Sequence, residues 1–269
     1  MMHFSFDMNA VERWAAFSGD YNPIHFDLSA ARAAGADALI VHGMLVLLPV
    51  KQALTRRLLE LPGLGKSQVD DQAWVRVRCS LKKLVPQDIE LQLSFKETGE
   101  KIGFMLTPSS NDATYVQGHL DRRIPEPSEK FSEIFTIDAH TISESWKKFQ
   151  SNFPAVSEIW IFLDALIFAQ FIKNCVPLIV KMITGTAQDW SIEDGLGETV
   201  MVQMSHTVWF RADLSDSQFA FQGSDLEFGL HEFDSQVDGN KTFGTVVLST
   251  SLNRSSIMRH EIGLMMFKR

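Results

Sequence analysis

The feature that most constrains this chain is residues 17–45, FSGDYNPIHFDLSAARAAGADALIVHGML. An aspartate and a histidine, Asp20 and His25, stand five positions apart on a predicted turn. A short alanine-rich helix is predicted next, and Gly43 then opens an apolar segment. The first turn of a helix has unpaired N–H groups that can hold an anion. The segment therefore predicts an acid–base pair, Asp20 and His25, that faces a backbone donor at Gly43.

The turn itself is predicted from local chemistry. Gly19 ends the preceding element, and Asn22-Pro23 favours a short helix with Asn22 as its cap. His25 would lie in the first turn of that helix, where the positive end of the helix dipole disfavours imidazolium, so we expect a neutral base. Taken alone, an aspartate before a turn is usually a cap and such a histidine is usually structural. The functional interpretation depends on the whole segment.

Two motifs in this segment, residues 17–25 (FSGDYNPIH) and residues 40–45 (IVHGML), resemble the MaoC-like family of R-specific enoyl-thioester hydratases and dehydratases. The resemblance implies a hot-dog fold, in which an antiparallel sheet wraps a long helix. It also implies reversible addition of water to a trans-2-enoyl thioester, giving an (R)-3-hydroxyacyl thioester. Asp20 and His25 match the catalytic dyad of the family, and Gly43 matches the backbone donor to the thioester carbonyl.

Other residues are candidates for substrate binding. Asn22 matches the family position that braces the dyad, and His42 adjoins the backbone donor. Arg76 and Arg78, with the two lysines that follow them, form a basic cluster that suits the phosphates of coenzyme A or an acidic carrier protein. A packed histidine and a solvated strand face are the simpler explanations of His42 and of the cluster. The other histidines show no metal spacing, so we expect no metal and no cofactor beyond the coenzyme A or phosphopantetheine arm of the substrate.

The charged, proline-containing residues 123–130 mark the best domain boundary. They divide the chain into a hot-dog half at 1–122 that carries the motif and a hot-dog-like half at 131–269 that lacks it. Long apolar helices are predicted at 40–61 and 158–183, each followed by alternating segments typical of strands. The predicted fold class is therefore α+β, a double hot-dog whose halves form an intramolecular pseudo-dimer with one surviving site. Pairing of that unit into a homodimer is left open.

Further boundaries are predicted from caps and alternation. A capping box formed by Asn9 and Glu12 predicts where the first helix begins. The predicted strands lie at 3–6, 74–79, 89–95, 101–106, 114–120, 131–137, 200–210, 219–228, 242–250 and 257–267.

Composition excludes several classes of function. A formal net charge of −8 argues against nucleic-acid binding. Two cysteines, Cys79 and Cys175, provide no disulfide framework, and the N-terminus lacks a signal-peptide pattern, so we expect a reducing, cytoplasmic location. The apolar segment 159–184 contains charged residues and a proline, which favours a buried helix over a membrane span.

Two other functions stay open at this point. A hot-dog acyl thioesterase could use Asp20 at the thioester carbonyl, but it would leave the Asn-Pro-x-His motif unexplained. A non-catalytic module that binds acyl thioesters needs no Asp20/His25 pair. The sequence does not distinguish coenzyme A from an acyl carrier protein as the carrier, and it sets neither the acyl chain length nor the favoured direction.

Overall fold

The protein is described here from a computed structural model, which covers residues 2–60, 73–126, 131–184, 199–215 and 223–268. In those ranges ten strands form one antiparallel sheet that wraps two long helices. The strands are β1 Met2–Phe4, β2 Trp74–Leu81, β3 Leu91–Thr98, β4 Lys101–Pro108, β5 Val116–Arg122, β6 Glu133–Ile137, β7 Thr199–Arg211, β8 Leu226–Asp238, β9 Lys241–Leu252 and β10 Ser255–Lys268. The helices are α1 Met8–Ser18, α2 Leu28–Ala33, α3 Gly43–Glu60, α4 Ala139–Asn152, α5 Ile159–Gln170 and α6 Val176–Thr184.

The order of strands in the sheet is the same in both halves. It runs β1-β3-β4-β5-β2 and then, in reverse, β7-β10-β9-β8-β6. The halves meet where β2 pairs antiparallel with β7, with Cys79 opposite His206. Each half is thus a sheet around its own helix, and the fold is an α+β double hot-dog. The boundary at 123–130 stays a prediction, because residues 127–130 lie outside the described ranges.

The two central helices fill the space inside the sheet. In α5 every residue from Ile159 to Phe168 is buried, and α3 is buried from Met44 to Leu48. Helices that are apolar on all sides are stable only when they are enclosed in this way. Alternation along β2 turns Val75, Val77 and Cys79 toward these helices, as expected for a sheet with one face on a core.

One helical segment of the described ranges, Ile159–Ile183, is long and apolar enough to cross a membrane. Half of its most apolar stretch is buried inside the protein, as in a core helix. This segment contains a π-helical turn at Phe171–Cys175, just before Pro177. A proline ring crowds the carbonyl four residues earlier, so the wider turn gives it room.

Most predicted strands are present with ends that lie within three residues of the prediction, but two boundaries were wrong. Helix α1 begins at Met8 and is capped by Asp7, whose carboxylate accepts the Ala10 N–H at 2.8 Å, so Asn9 lies inside the helix. The strand predicted at 219–228 begins only at Leu226 and continues to Asp238, because its pairing with β9 extends to the hairpin turn. Residues 219–222 lie outside the described ranges.

Candidate active site

A cavity of about 590 Å³ lies at the seam between the two halves. The first half supplies Asp20, His25 and Gly43 to its wall, as the sequence predicts. The second half supplies side chains from α5 and from the two strands next to the seam, among them Phe168, Met201, Val202, Gln203, Met204, Leu264 and Met265. Neither half encloses this site alone.

Asn22 fixes the turn that carries the acid–base pair. Its side-chain oxygen accepts the Ile24 N–H at 3.4 Å and caps the three-residue 3-10 helix Pro23–His25. Its amide nitrogen donates to the Met201 carbonyl of β7 at 2.6 Å. The turn is therefore tied to the second half of the molecule. Asn22 lines the cavity, but both ends of its amide are used by the protein, which fits a brace better than a substrate ligand.

Asp20 is buried at the cavity wall with its carboxylate 3.3 Å from the Asn22 N–H. Burial raises the pKa of Asp20, while the nearby His25 and the Asn22 N–H oppose that rise. A carboxyl group in this environment accepts a proton more readily than one in water.

His25 is held in one tautomer. Its Nδ1 lies 2.9 Å from the Ile40 carbonyl oxygen, and because a carbonyl only accepts, Nδ1 carries the proton. The other nitrogen, Nε2, is left with the lone pair of a base. Burial lowers the pKa of His25, with Asp20 opposing. The expected neutral state is therefore supported, but its main cause is burial rather than the dipole of a three-residue helix.

His42 supports the pair from one side. Its ring stacks on that of His25 with centroids 3.6 Å apart, and its Nε2 donates to the Asp20 carbonyl at 2.9 Å. Burial, reinforced by His25, lowers the pKa of His42 well below its usual range. His42 thus positions the dyad, because its neutral ring anchors the Asp20 backbone and stacks on His25. It is not among the residues that line the cavity.

Asp20, His25 and His42 each offer one ligand atom, and these atoms lie within 4.8 Å of one another. Carboxylate and imidazole are common ligands of divalent transition metals. Two of the four imidazole nitrogens are already bound to backbone carbonyls. The expectation of a metal-free site therefore stays a prediction.

Gly43 is the first residue of α3, so its N–H has no partner within the helix. A methyl group added here would lie 2.6 Å from Gln203 Oε1 and 2.6 Å from Leu81 Cδ2. Any larger residue at this position would therefore force Gln203 and Leu81 to move. Because Gly43 lines the cavity, its N–H lies at the cavity wall, at the positive end of an 18-residue helix.

The structure does not bring Arg76 or Arg78 to this cavity. Alternation on β2 turns both toward the outer face of the sheet. Arg76 forms a two-pronged ion pair with Asp121 at 2.9 and 2.6 Å, and Arg78 lines a separate shallow groove with His119. The lysines at 82 and 83 do line the cavity, and both are exposed.

Comparison with known proteins agrees with this arrangement. Residues 5–115 match the family model described as the MaoC like domain. A 41-residue segment is 46% identical to the mitochondrial 3-hydroxyacyl-[acyl-carrier-protein] dehydratase of Arabidopsis thaliana, spanning 15% of this chain and 25% of the plant protein.

Solved structures extend the likeness to the whole chain. A MaoC domain protein dehydratase from Chloroflexus aurantiacus matches with a TM-score of 0.51 and 8% identity, over 100% of this chain and 93% of that one. A Mycobacterium tuberculosis protein with a double hotdog fold matches with a TM-score of 0.49 and 8% identity, over 99% and 94% of the two chains. At 8% identity, the likeness to the Chloroflexus protein shows a shared fold.

A buried polar network adjoins the candidate active site. Lys51 of α3 forms an ion pair with Asp164 of α5, and both side chains are completely buried. His206 of β7 lies with Nε2 2.7 Å from the other carboxylate oxygen, Asp164 Oδ1. Burial raises the pKa of Asp164, but His206 and Lys51 more than offset this and hold it well below its usual range. Burial lowers the pKa of His206 to about 4.

Sequence reasoning missed this network and the cavity residue Gln203. One signal was present, because Asp164 interrupts the apolar run 159–168 and a charged residue in such a run needs a buried partner. No motif marks Lys51, His206 or Gln203. Their association depends on the pairing of β2 with β7 across the seam.

Proposed function

We propose that this protein catalyses the reversible hydration of trans-2-enoyl thioesters to (R)-3-hydroxyacyl thioesters, as a hydro-lyase. The observation that carries the proposal is a neutral His25 with a free Nε2 beside the buried Asp20, in a cavity that also holds the N-terminal N–H of α3 at Gly43. The match of residues 5–115 to the model of the MaoC like domain supports the same reaction class. The short match to a plant 3-hydroxyacyl-carrier-protein dehydratase agrees with it.

In the hydration direction, the proposal gives each group a role. The thioester carbonyl oxygen accepts the Gly43 N–H, which stabilises the negative charge that develops as the enolate forms. Loss of a donor of this kind typically costs a factor of about 10²–10³ in rate. His25 Nε2 accepts a proton from water as the water oxygen bonds to C3. The Asp20/His25 pair then returns a proton to C2, and general acid–base groups of this type contribute factors of about 10²–10⁴.

The walls of the cavity suit an acyl thioester. Phe168, Leu264 and Met265 provide apolar surface for an acyl chain. The exposed lysines at 82 and 83 lie on the solvent side, where the phosphates of coenzyme A or of a carrier's phosphopantetheine would emerge. We therefore extend the proposal to carriers with an anionic pantetheine arm.

The reaction is tested with trans-2-butenoyl-CoA while enoyl absorbance and free thiol are recorded in the same sample. Loss of absorbance without thiol release, with an (R)-3-hydroxy product, supports the hydratase. Thiol release at an equal rate would show a thioesterase instead. Absence of both changes, with the coenzyme A ester and with a carrier-protein ester, would refute the proposal.

A further inference from the structure

Gln203 lies on β7 of the second half, at the wall of the cavity and next to Gly43. Its amide oxygen would be 2.6 Å from a methyl group added at Gly43. Within the described part of the chain, the Gln203 side chain forms its hydrogen bond through the nitrogen, to His206 Nδ1 at 3.4 Å, and its oxygen has no hydrogen-bond donor there.

The buried network determines which way this amide faces. Asp164 is a carboxylate paired with Lys51, so it only accepts hydrogen bonds, and His206 Nε2 at 2.7 Å must donate to it. A neutral His206 then has its lone pair on Nδ1. Only the NH₂ end of Gln203 can satisfy that lone pair. The oxygen of Gln203 is therefore turned toward Gly43 and the cavity, where it is a fixed acceptor.

An acceptor at this place needs a donor from the substrate. The thioester carbonyl is itself an acceptor, and it is the partner proposed for the Gly43 N–H. Water and the 3-hydroxyl are partners proposed for Asp20 and His25. The remaining donor near a pantetheine thioester is the amide N–H two carbons from the sulfur.

The position of Gln203 fits the carrier arm rather than the acyl chain. The same added methyl group at Gly43 would meet Leu81 as well as Gln203, each at 2.6 Å. Leu81 ends β2 and leads directly to the exposed lysines at 82 and 83 that line the cavity. Gln203 therefore lies on the side of the thioester from which the carrier arm leaves.

We propose that Gln203 Oε1 accepts a hydrogen bond from the pantetheine amide N–H adjacent to the thioester, and that Asp164 and His206 are the positioning residues that hold it in that orientation. The second half of the molecule would thus select thioesters of amide-bearing thiols. This inference rests on the proposed function for the identity of the substrate.

The test measures binding rather than turnover. Two saturated ligands that cannot be hydrated are compared, S-butanoyl-N-acetylcysteamine and S-butanoyl-2-acetoxyethanethiol, in which an ester oxygen replaces the amide N–H. Dissociation constants are measured by NMR titration for the native protein, for Gln203→Met and for Gln117→Met. The last variant is the matched control, because Gln117 lines the outer groove rather than the cavity.

We expect the native protein and Gln117→Met to bind the amide about 3–10-fold more tightly than the ester, from the usual contribution of one hydrogen bond. Gln203→Met should bind the two ligands equally. Equal binding by the native protein, binding of neither ligand, or a preference that persists in Gln203→Met would overturn the inference. Equal binding by the native protein needs no variant to overturn the inference, so the test can fail even if Gln203→Met does not fold.

The trans-2-butenoyl analogues of these two ligands can be hydrated, and together with the binding data they separate this inference from the proposed function. A protein that prefers the amide but does not hydrate butenoyl thioesters would retain the Gln203 contact and lose the hydratase. A protein that hydrates both butenoyl thioesters with equal kcat/KM would keep the hydratase and lose the contact.

Discussion

Replacing Lys51 with methionine should destabilise the protein strongly. Lys51 and Asp164 form an ion pair in which both side chains have 0% exposure. Removing the lysine leaves a buried carboxylate that faces two histidines, His206 at 2.7 Å and His260 at 3.2 Å, but no lysine or arginine partner. Loss of one partner of a buried pair typically costs about 3–5 kcal/mol. Methionine is close to lysine in length and removes only the charged end, so cavity formation adds little. Urea unfolding followed by tryptophan fluorescence measures the change in the free energy of unfolding.

Lys147→Met is the control for that experiment. It makes the same substitution and also breaks a lysine–carboxylate pair, with Glu144 at 2.8 Å, but the two side chains are 69% and 55% exposed. Exposed pairs of this kind contribute little to stability because water and salt screen them. A loss of less than about 1 kcal/mol in Lys51→Met, or equal losses in the two variants, would refute the claim that a charged network lies between the halves.

Three further outcomes are expected. Burial lowers the pKa of His206 to about 4. Between about pH 6.5 and about pH 4 the unfolded state, with a histidine pKa near 6.5, therefore binds a proton that the folded state excludes, and the free energy of unfolding should fall by up to about 3 kcal/mol as the pH decreases through this range. His206→Gln should make this pH dependence shallower, as measured by urea unfolding. Asn22→Ala removes a cap and the bond to Met201, so it should cost about 1–2 kcal/mol in thermal or urea unfolding and reduce turnover. Gly43→Ala keeps the N–H but crowds Gln203, so kcat/KM should fall at least tenfold while circular dichroism shows an intact fold.

Local chemistry explains what could be predicted from the sequence. The cap at Asn22 and the position of His25 each depend on residues a few positions away, and the structure places them as expected. Helix α3 begins at Gly43, three residues after the start predicted at residue 40. The double hot-dog could be predicted because the order of apolar helix and alternating strands repeats. The cap of α1 was assigned to Asn9 because several polar residues adjoin there and only backbone geometry selects Asp7.

Contacts between distant residues explain what was missed. The sequence groups Arg76 with its neighbours in a basic cluster, but in the structure Arg76 pairs with Asp121, 45 positions along the chain. Lys51 and Asp164 are 113 positions apart and meet only because the two central helices lie side by side. Gln203 reaches Gly43 across the seam between the halves. A single sequence carries no local signal for contacts of this kind.

The central claim is that Asp20 and His25 act together on an enoyl thioester. The most direct test measures the rate of trans-2-butenoyl-CoA hydration by the native protein, by Asp20→Asn and by His25→Gln. His119→Gln is the control, since it makes the same change in the outer groove. We expect kcat to fall by a factor of at least about 10² in each dyad variant, while folding and ligand binding are retained. The kcat of His119→Gln should stay near the native value. Hydration by either dyad variant at near the native rate would contradict the central claim.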